Sequence, residues 1–226
     1  MAEAGAAVAV HYRASAEAAA EVVAKIESRG GRAVAIVGDL TDSQVAAAVV
    51  DSAVQRLGRL DVLVNNAGDP IARTALADCS DALWQDVLAT NLSSAFFVTR
   101  RAIPHLKNSG QGAIVNNLSL SVQTGGANGA GPYAIAKGGL RVMTRTLAKE
   151  LAPQVRVNAV MPGVIETPHH DRFTDPARMV AYTQETPLRR NGKADEVAQA
   201  ITFLASDAAS FITGAILDIN GGRFLR

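Results

Sequence analysis

Aromatic side chains are scarce in this chain. Six Phe, three Tyr and one Trp amount to 4% of 226 residues, so the core must be assembled from the Ala, Val, Leu and Ile that dominate its 48% hydrophobic content. A single cysteine, Cys79, excludes an internal disulfide and fits a reducing cytoplasm, where we expect the protein to work. No apolar run approaches the roughly 18 residues that cross a bilayer. The stretch Met1–Val10 is apolar, but it lacks a basic flank and Glu3 interrupts it, so it makes a poor signal peptide. An excess of one charge is also missing: 22 Lys and Arg face 21 Asp and Glu, and no long basic run occurs. That balance argues against a nucleic-acid or membrane-surface partner. His169, His170 and Asp171 are the only hint of a metal site. Adjacent histidines diverge on most backbones, and no further Cys or His is spaced to complete a tetrahedron, so no metal is expected.

What the chain does have is alternation. Short, β-branched apolar runs stand at Ala6–Val10, Ala33–Val37, Val62–Val64, Ala113–Val115, Val155–Val160 and Ala215–Ile219. Few polar residues interrupt them and turn residues follow them, as expected of strands buried on both faces. Amphipathic segments lie between. Val45, Val49, Val50, Val54 and Leu57 fall on one helical face ended by Gly58, and Ser15–Arg29 is stopped by Gly30 and Gly31. Longer helices are expected over Asp81–Ile103 and Tyr133–Leu151, closed by Pro104 and Pro153. This β-α-β-α order predicts an α/β fold of one domain, a doubly wound parallel sheet with helices on both faces in a Rossmann-like three-layer sandwich. Residues Pro168–Asn191 form the longest irregular stretch and read as a substrate lid.

Tyr133 and Lys137 stand four apart at the start of the second long helix, so phenol and ammonium share one face. A cation beside a phenol favours the phenolate, and a tyrosine tuned this way can exchange a proton with an alcohol or carbonyl oxygen. Polar and glycine-rich clusters gather where ligands bind in open α/β sheets, beyond the strand C-ends. They are Gly38-Asp39-Leu40, Asn65-Asn66-Ala67-Gly68, Asn116-Asn117 with Ser119, and Pro162-Gly163 with Thr167.

Taken in order, Asp39-Leu40, the Asn65–Gly68 block, Asn91-Leu92, Ser119, Tyr133 with Lys137, Pro162-Gly163 and the closing Gly214–Gly222 stretch resemble the short-chain dehydrogenase/reductase family. The likeness is to its 3-oxoacyl-(acyl-carrier-protein) reductase-like members and covers nearly the whole chain. The resemblance implies that Tyr133 is the general acid/base and that Lys137 lowers its pKa and holds the nicotinamide ribose. Ser119 is to polarise the substrate oxygen, and Asn91 to position a water in the proton relay. Ser119 directly follows its strand and is preferred to Ser121, which stands nearer to Tyr133 in sequence. Asp39 is implied to meet the adenine amino group, the Asn66-Ala67-Gly68 backbone to pass the cofactor ribose, and Ile165 and Thr167 to contact the carboxamide and phosphate side. A homotetramer or dimer packed through the long helices is implied as well. In chemical terms, a hydride reaches a carbonyl carbon, charge grows on the oxygen, and two hydroxyl donors stabilise it. The hydride must come from a cofactor.

Cofactor choice is read after the first apolar run. His11, Tyr12, Arg13 and Ser15 stand there, with no acid before Glu17, so Arg13 is expected to take the 2′-phosphate of NADP in preference to NAD. Substrate choice is expected to lie in Pro168–Asn191 and Val122–Gly131, and neither carries a charge pattern naming a substrate class. One departure from the family pattern stands out. The opening strand, its Gly-rich turn and most of the next helix have no counterpart, and Met1–Ala4 with Gly5 reads as that helix's last turn. A central strand lost from the sheet leaves two edges unpaired, and we expect the natural protein to be longer. A non-catalytic binding module of the same fold is the alternative; the joint presence of Asn91, Ser119, Tyr133 and Lys137 speaks for the enzyme.

Overall fold

A computed structural model describes residues 1–168 and 173–225. In chain order it contains β1 (Val8–Tyr12), α1 (Ala16–Glu27), β2 (Ala33–Val37), α2 (Ser43–Leu57), β3 (Val62–Asn65), α3 (Asp81–Leu88), α4 (Ser94–Asn108), β4 (Gly112–Asn117), α5 (Ser121–Thr124), α6 (Gly131–Glu150), β5 (Val155–Pro162), β6 (Ile165–Glu166), α7 (Pro176–Glu185), β7 (Gly192–Lys193), α8 (Ala194–Ala205) and β8 (Ile216–Ile219). The strand order is β3-β4-β5-β8 in one sheet and β1-β2 in another, with β6-β7 as a short third, and all pairings are parallel.

Neighbouring residues of β4 show why the strands are apolar without alternation. Ile114 packs with Val50 of α2, Ala102 and Leu106 of α4, and Leu147 of α6. Val115 points the other way, to Val197, Ile201 and Leu204 of α8. Both faces are covered by helices, so both sets of side chains must be apolar. Four buried polar residues in this core form a closed set. Asn65 Nδ2 donates to Thr99 Oγ1 and Asn116 Oδ1, Asn116 Nδ2 donates to Thr144 Oγ1, and Thr144 donates to the Leu140 carbonyl. These bonds join β3, β4, α4 and α6 below the strand ends, where the sequence offered only turn-forming asparagines.

The sheet is interrupted between β1 and β3. Among the described residues β1 pairs only with β2, and β3 only with β4. This break corrects the expectation of full burial: β1 is only half-buried along its length, whereas β4 is buried through Asn116. Ala2–Ala4 forms a single 3-10 turn that Gly5 ends at φ 89°, a left-handed cap available to glycine without strain.

Two helical expectations change. Pro104 does not close α4 but sits inside it, and the helix runs on to Asn108. Proline frees the carbonyl four residues earlier, and both Pro104 and Arg100 are exposed, so water can take that bond. The expected single helix Asp81–Ile103 is broken by a π-turn at Ala89–Ser93. The stretch read as irregular contains α7, whose Asp175 side chain accepts from the Ala177 N–H at 2.7 Å, with proline in the first turn. Pairing of β6 with β7 ties the two ends of that region together. Among the described residues no helix is long and apolar enough to cross a membrane.

Candidate active site

A cavity of about 1350 Å³ opens at the C-terminal ends of β3, β4 and β5 and continues into the space between β1 and β3. Ser119, Tyr133 and Lys137 line it together with Leu40, Asn66, Ala67, Gly68, Pro162, Gly163, Ile165 and Thr167. Strand ends place most of these groups, and the first turns of α6 bring in Tyr133 and Lys137. Arg13, Ser15 and Asp39 stand outside the cavity and are exposed. The Asp39 carboxylate accepts from the Thr41 N–H and hydroxyl, at 3.0 and 2.7 Å. Those two bonds hold it below the ordinary carboxylate range, and the nearby charges of Arg13 and His11 act the same way.

The Ser119 hydroxyl stands near enough to the Tyr133 phenol to favour its ionised form, and it accepts from the Ser121 N–H at 3.2 Å. Ser121 Oγ is buried and has no partner among the described residues. The Lys137 ammonium lies 5.7 Å from the Tyr133 ring centre and donates to the Asn117 carbonyl at 2.8 Å. With three N–H donors in all, it keeps two for the cavity.

Asn91 is 1% exposed and sits at the π-turn behind the cavity wall. Its Nδ2 donates to the carbonyls of Asp69 and Val87, at 2.7 and 2.9 Å, while Oδ1 accepts from the Asp69 N–H at 3.0 Å. The wide turn releases the Val87 carbonyl, and the Asn91 amide takes it. Both side-chain donors are therefore spent on backbone, where a water-positioning role was expected. A Cβ at Gly68 would stand 2.7 Å from Asn91 Oδ1 and 3.0 Å from Lys137 Nζ, so glycine is required there for space.

Electrostatics depart from the sequence expectation. Burial pushes the Tyr133 phenol up to about 12; the nearby Ser119 hydroxyl works against that rise and the Asp69 carboxylate adds to it. The phenol is only half-buried by exposure, and desolvation is still the largest influence on it. Burial pulls the Lys137 ammonium down to about 8. Phenol and ammonium are thus driven toward their neutral forms.

A pH dependence of stability follows. Between about pH 8 and 10 an unfolded Lys137 holds its proton while the folded one releases it, so stability rises with pH. Above about 10 an unfolded Tyr133 ionises while the folded one does not, so stability falls. Chemical denaturation at pH 8 and pH 10 should show Lys137→Met losing a gain on the order of 2 kcal/mol relative to wild type. Parallel pH profiles for the two proteins would contradict the depressed lysine.

Charged residues at and near the cavity that were not singled out from sequence include Asp69, Arg73 and Arg223. Asp69 follows the Asn65–Gly68 block directly, and its position alone was the available signal. Arg73 and Arg223 line the cavity through tertiary packing. Arg223 and Arg178 clasp the buried Tyr182 ring, at 4.3 and 4.5 Å from its centre, and Glu185 pairs with both arginines. This set joins α7 to the C-terminal segment. His169, His170 and Asp171, considered for a metal, lie outside the described residues. Among the described residues no group of three possible metal ligands stands together.

A nicotinamide dinucleotide fits the donor set. Lys137 keeps two N–H groups toward the cavity, and Asn117 Oδ1 is a buried acceptor on its wall with no partner among the described residues. Gly68 leaves the backbone beside Lys137 uncovered by any side chain.

Comparison with known proteins gives the same picture. The family model described as Enoyl-(Acyl carrier protein) reductase matches residues 1–223. A 3-oxoacyl-(acyl-carrier-protein) reductase FabG from Thermotoga maritima is 43% identical over 203 residues, covering 89% of this chain and 81% of the relative. The cis-4-hydroxycyclohexanecarboxylate dehydrogenase of Sinomonas cyclohexanicum is 39% identical over 98% of this chain and 88% of its own. A crystal structure of a putative short-chain alcohol dehydrogenase from Sinorhizobium meliloti 1021 superposes with a TM-score of 0.92 at 40% identity, covering 98% of this chain and 88% of that one.

Proposed function

The chain belongs to the short-chain dehydrogenase/reductase family of NAD(P)-dependent oxidoreductases, and from that premise we propose that it interconverts a carbonyl compound and a secondary alcohol with NADP(H). The observation that carries this reading is that Ser119, Tyr133 and Lys137 line one cavity, with the Lys137 ammonium 5.7 Å from the Tyr133 ring centre. A bound nicotinamide supplies or accepts the hydride. Leu40, Gly68, Lys137, Gly163, Ile165 and Thr167 are the cavity residues that would hold it, with Arg13, Ser15 and Asp39 at the adenosine end.

Tyr133, with its phenol near 12, is a protonated donor at neutral pH and gives its proton to the substrate oxygen as charge grows there. The Ser119 hydroxyl carries one hydrogen and turns from Tyr133 toward the same oxygen as a second donor. The phenolate left behind is stabilised by the Lys137 ammonium until a proton returns. Asn91 acts on this centre indirectly, by fixing the Asp69 backbone. A 3-oxoacyl thioester belongs to the substrate class, as does the hydroxy acid in the name of the Sinomonas relative. Exposed Phe96 on α4 and Val142 on α6 support a homo-oligomer packed through those helices, and one free cysteine fits the cytoplasm.

Arg13 beyond β1 supports NADP as the partner. Titrating wild type and Arg13→Ala with NADPH and NADH, followed by cofactor fluorescence, tests it. The variant should lose roughly tenfold in NADPH affinity and little in NADH affinity. Equal affinity of the wild type for both cofactors would contradict the assignment.

A further inference from the structure

Arg73 is a cation on the cavity wall with little to hold. Its loop is fastened to the segment that precedes Tyr133: the Thr74 N–H donates to the Gly129 carbonyl at 3.0 Å, and a Cβ on Gly129 would meet Thr74 N at 2.6 Å and Arg73 C at 3.1 Å. The guanidinium therefore shares its wall with Ala127, Ala130 and Tyr133. One long hydrogen bond reaches it, from Nη1 to the Ala127 carbonyl at 3.4 Å. Its Nε is buried and has no partner among the described residues. No acid pairs with it among the described residues either.

The remaining charges on the cavity wall do not neutralise it. Asp61 is the one carboxylate among the lining residues described, and Arg59 holds it at 2.6 Å; Arg223 is occupied by Glu185. A guanidinium cannot shed its proton, so a partly desolvated one with unspent donors favours an anion. Its planar fork matches a carboxylate through two parallel hydrogen bonds. Accepting the cavity as a carbonyl-reducing site, on which this step rests, we propose that Arg73 anchors a carboxylate carried by the substrate and sets a preference for oxo acids over neutral ketones. Arg73 is a specificity determinant here and takes no part in the proton transfer.

The matched pair 4-oxocyclohexanecarboxylate and cyclohexanone tests this directly. Wild type should favour the acid in kcat/KM, and Arg73→Gln should raise its KM and its Kd, the latter by calorimetry, roughly 10–100-fold. Cyclohexanone turnover should stay within about twofold, which also shows that the variant is folded, and Arg73→Lys should recover part of the loss because it restores the charge without the fork. An unchanged KM and Kd for the acid in Arg73→Gln would overturn the proposal, as would an equal loss for both compounds or a wild type with no preference for the acid. Binding of the acid through Arg73 without turnover of either compound would count against the oxidoreductase reading and leave the anchor standing.

Discussion

Replacing Tyr133 with phenylalanine should lower kcat for carbonyl reduction by roughly 10²–10⁴-fold, the usual worth of a positioned general acid. Only the phenolic oxygen is removed. The ring stays over Lys137, whose ammonium keeps its bond to the Asn117 carbonyl, so the cofactor side of the cavity is untouched. Cofactor affinity should therefore change little, and stability by no more than about 1 kcal/mol for one removed hydroxyl. Steady-state kinetics with a separate NADPH titration distinguish the two effects. A fall in kcat of less than about tenfold would mean that another group delivers the proton, with Ser119 the first to test.

Gly68→Ala should damage both stability and turnover through a single methyl group. Its Cβ would lie 2.7 Å from Asn91 Oδ1 and 3.0 Å from Lys137 Nζ. Neither neighbour is free to move, because three hydrogen bonds pin the Asn91 amide and the Asn117 carbonyl holds Lys137. Overpacking of this kind costs about 1–3 kcal/mol, a fall of roughly 3–10 °C in Tm for a chain of this length. Displacing Lys137 should also reduce kcat/KM by tenfold or more. Gly138→Ala is the control: a Cβ there meets nothing within 4 Å, and a helical alanine in α6 should be neutral or stabilising. Equal behaviour of the two variants would dispose of the steric account.

Local patterns carried much of the fold into view. The run Ala33–Val37 is β2 to the residue, and the polar ends of β3, β4 and β5 line one cavity, while Asp39 after β2 stands outside it. The Tyr-Lys spacing also placed both groups on its wall. Other features depend on what tertiary contacts do to a local preference. The π-turn at Ala89–Ser93 has no compositional mark; the Val87 carbonyl that it releases is taken by the Asn91 amide, a bond that only the folded helix makes. By contrast, α7 had a legible start in Asp175-Pro176, and its polar surroundings concealed it. The direction of the Tyr133 shift was read from one neighbour in sequence. Burial and Asp69 set it instead, and both come from folding. Arg73 was silent for the same reason: only the contact between its loop and Gly129 puts a guanidinium on the cavity wall.

The central claim is that this cavity passes a hydride and a proton to one carbonyl group. A single turnover with NADPH deuterated at the transferable C4 position, the alcohol product being weighed by mass spectrometry, tests it most directly. The account predicts one deuterium on the carbinol carbon with wild type, and the same product formed at least about a hundredfold more slowly by Tyr133→Phe with NADPH still bound. Bound NADPH and ketone yielding no deuterated alcohol, or a Tyr133→Phe variant as fast as wild type, would contradict it.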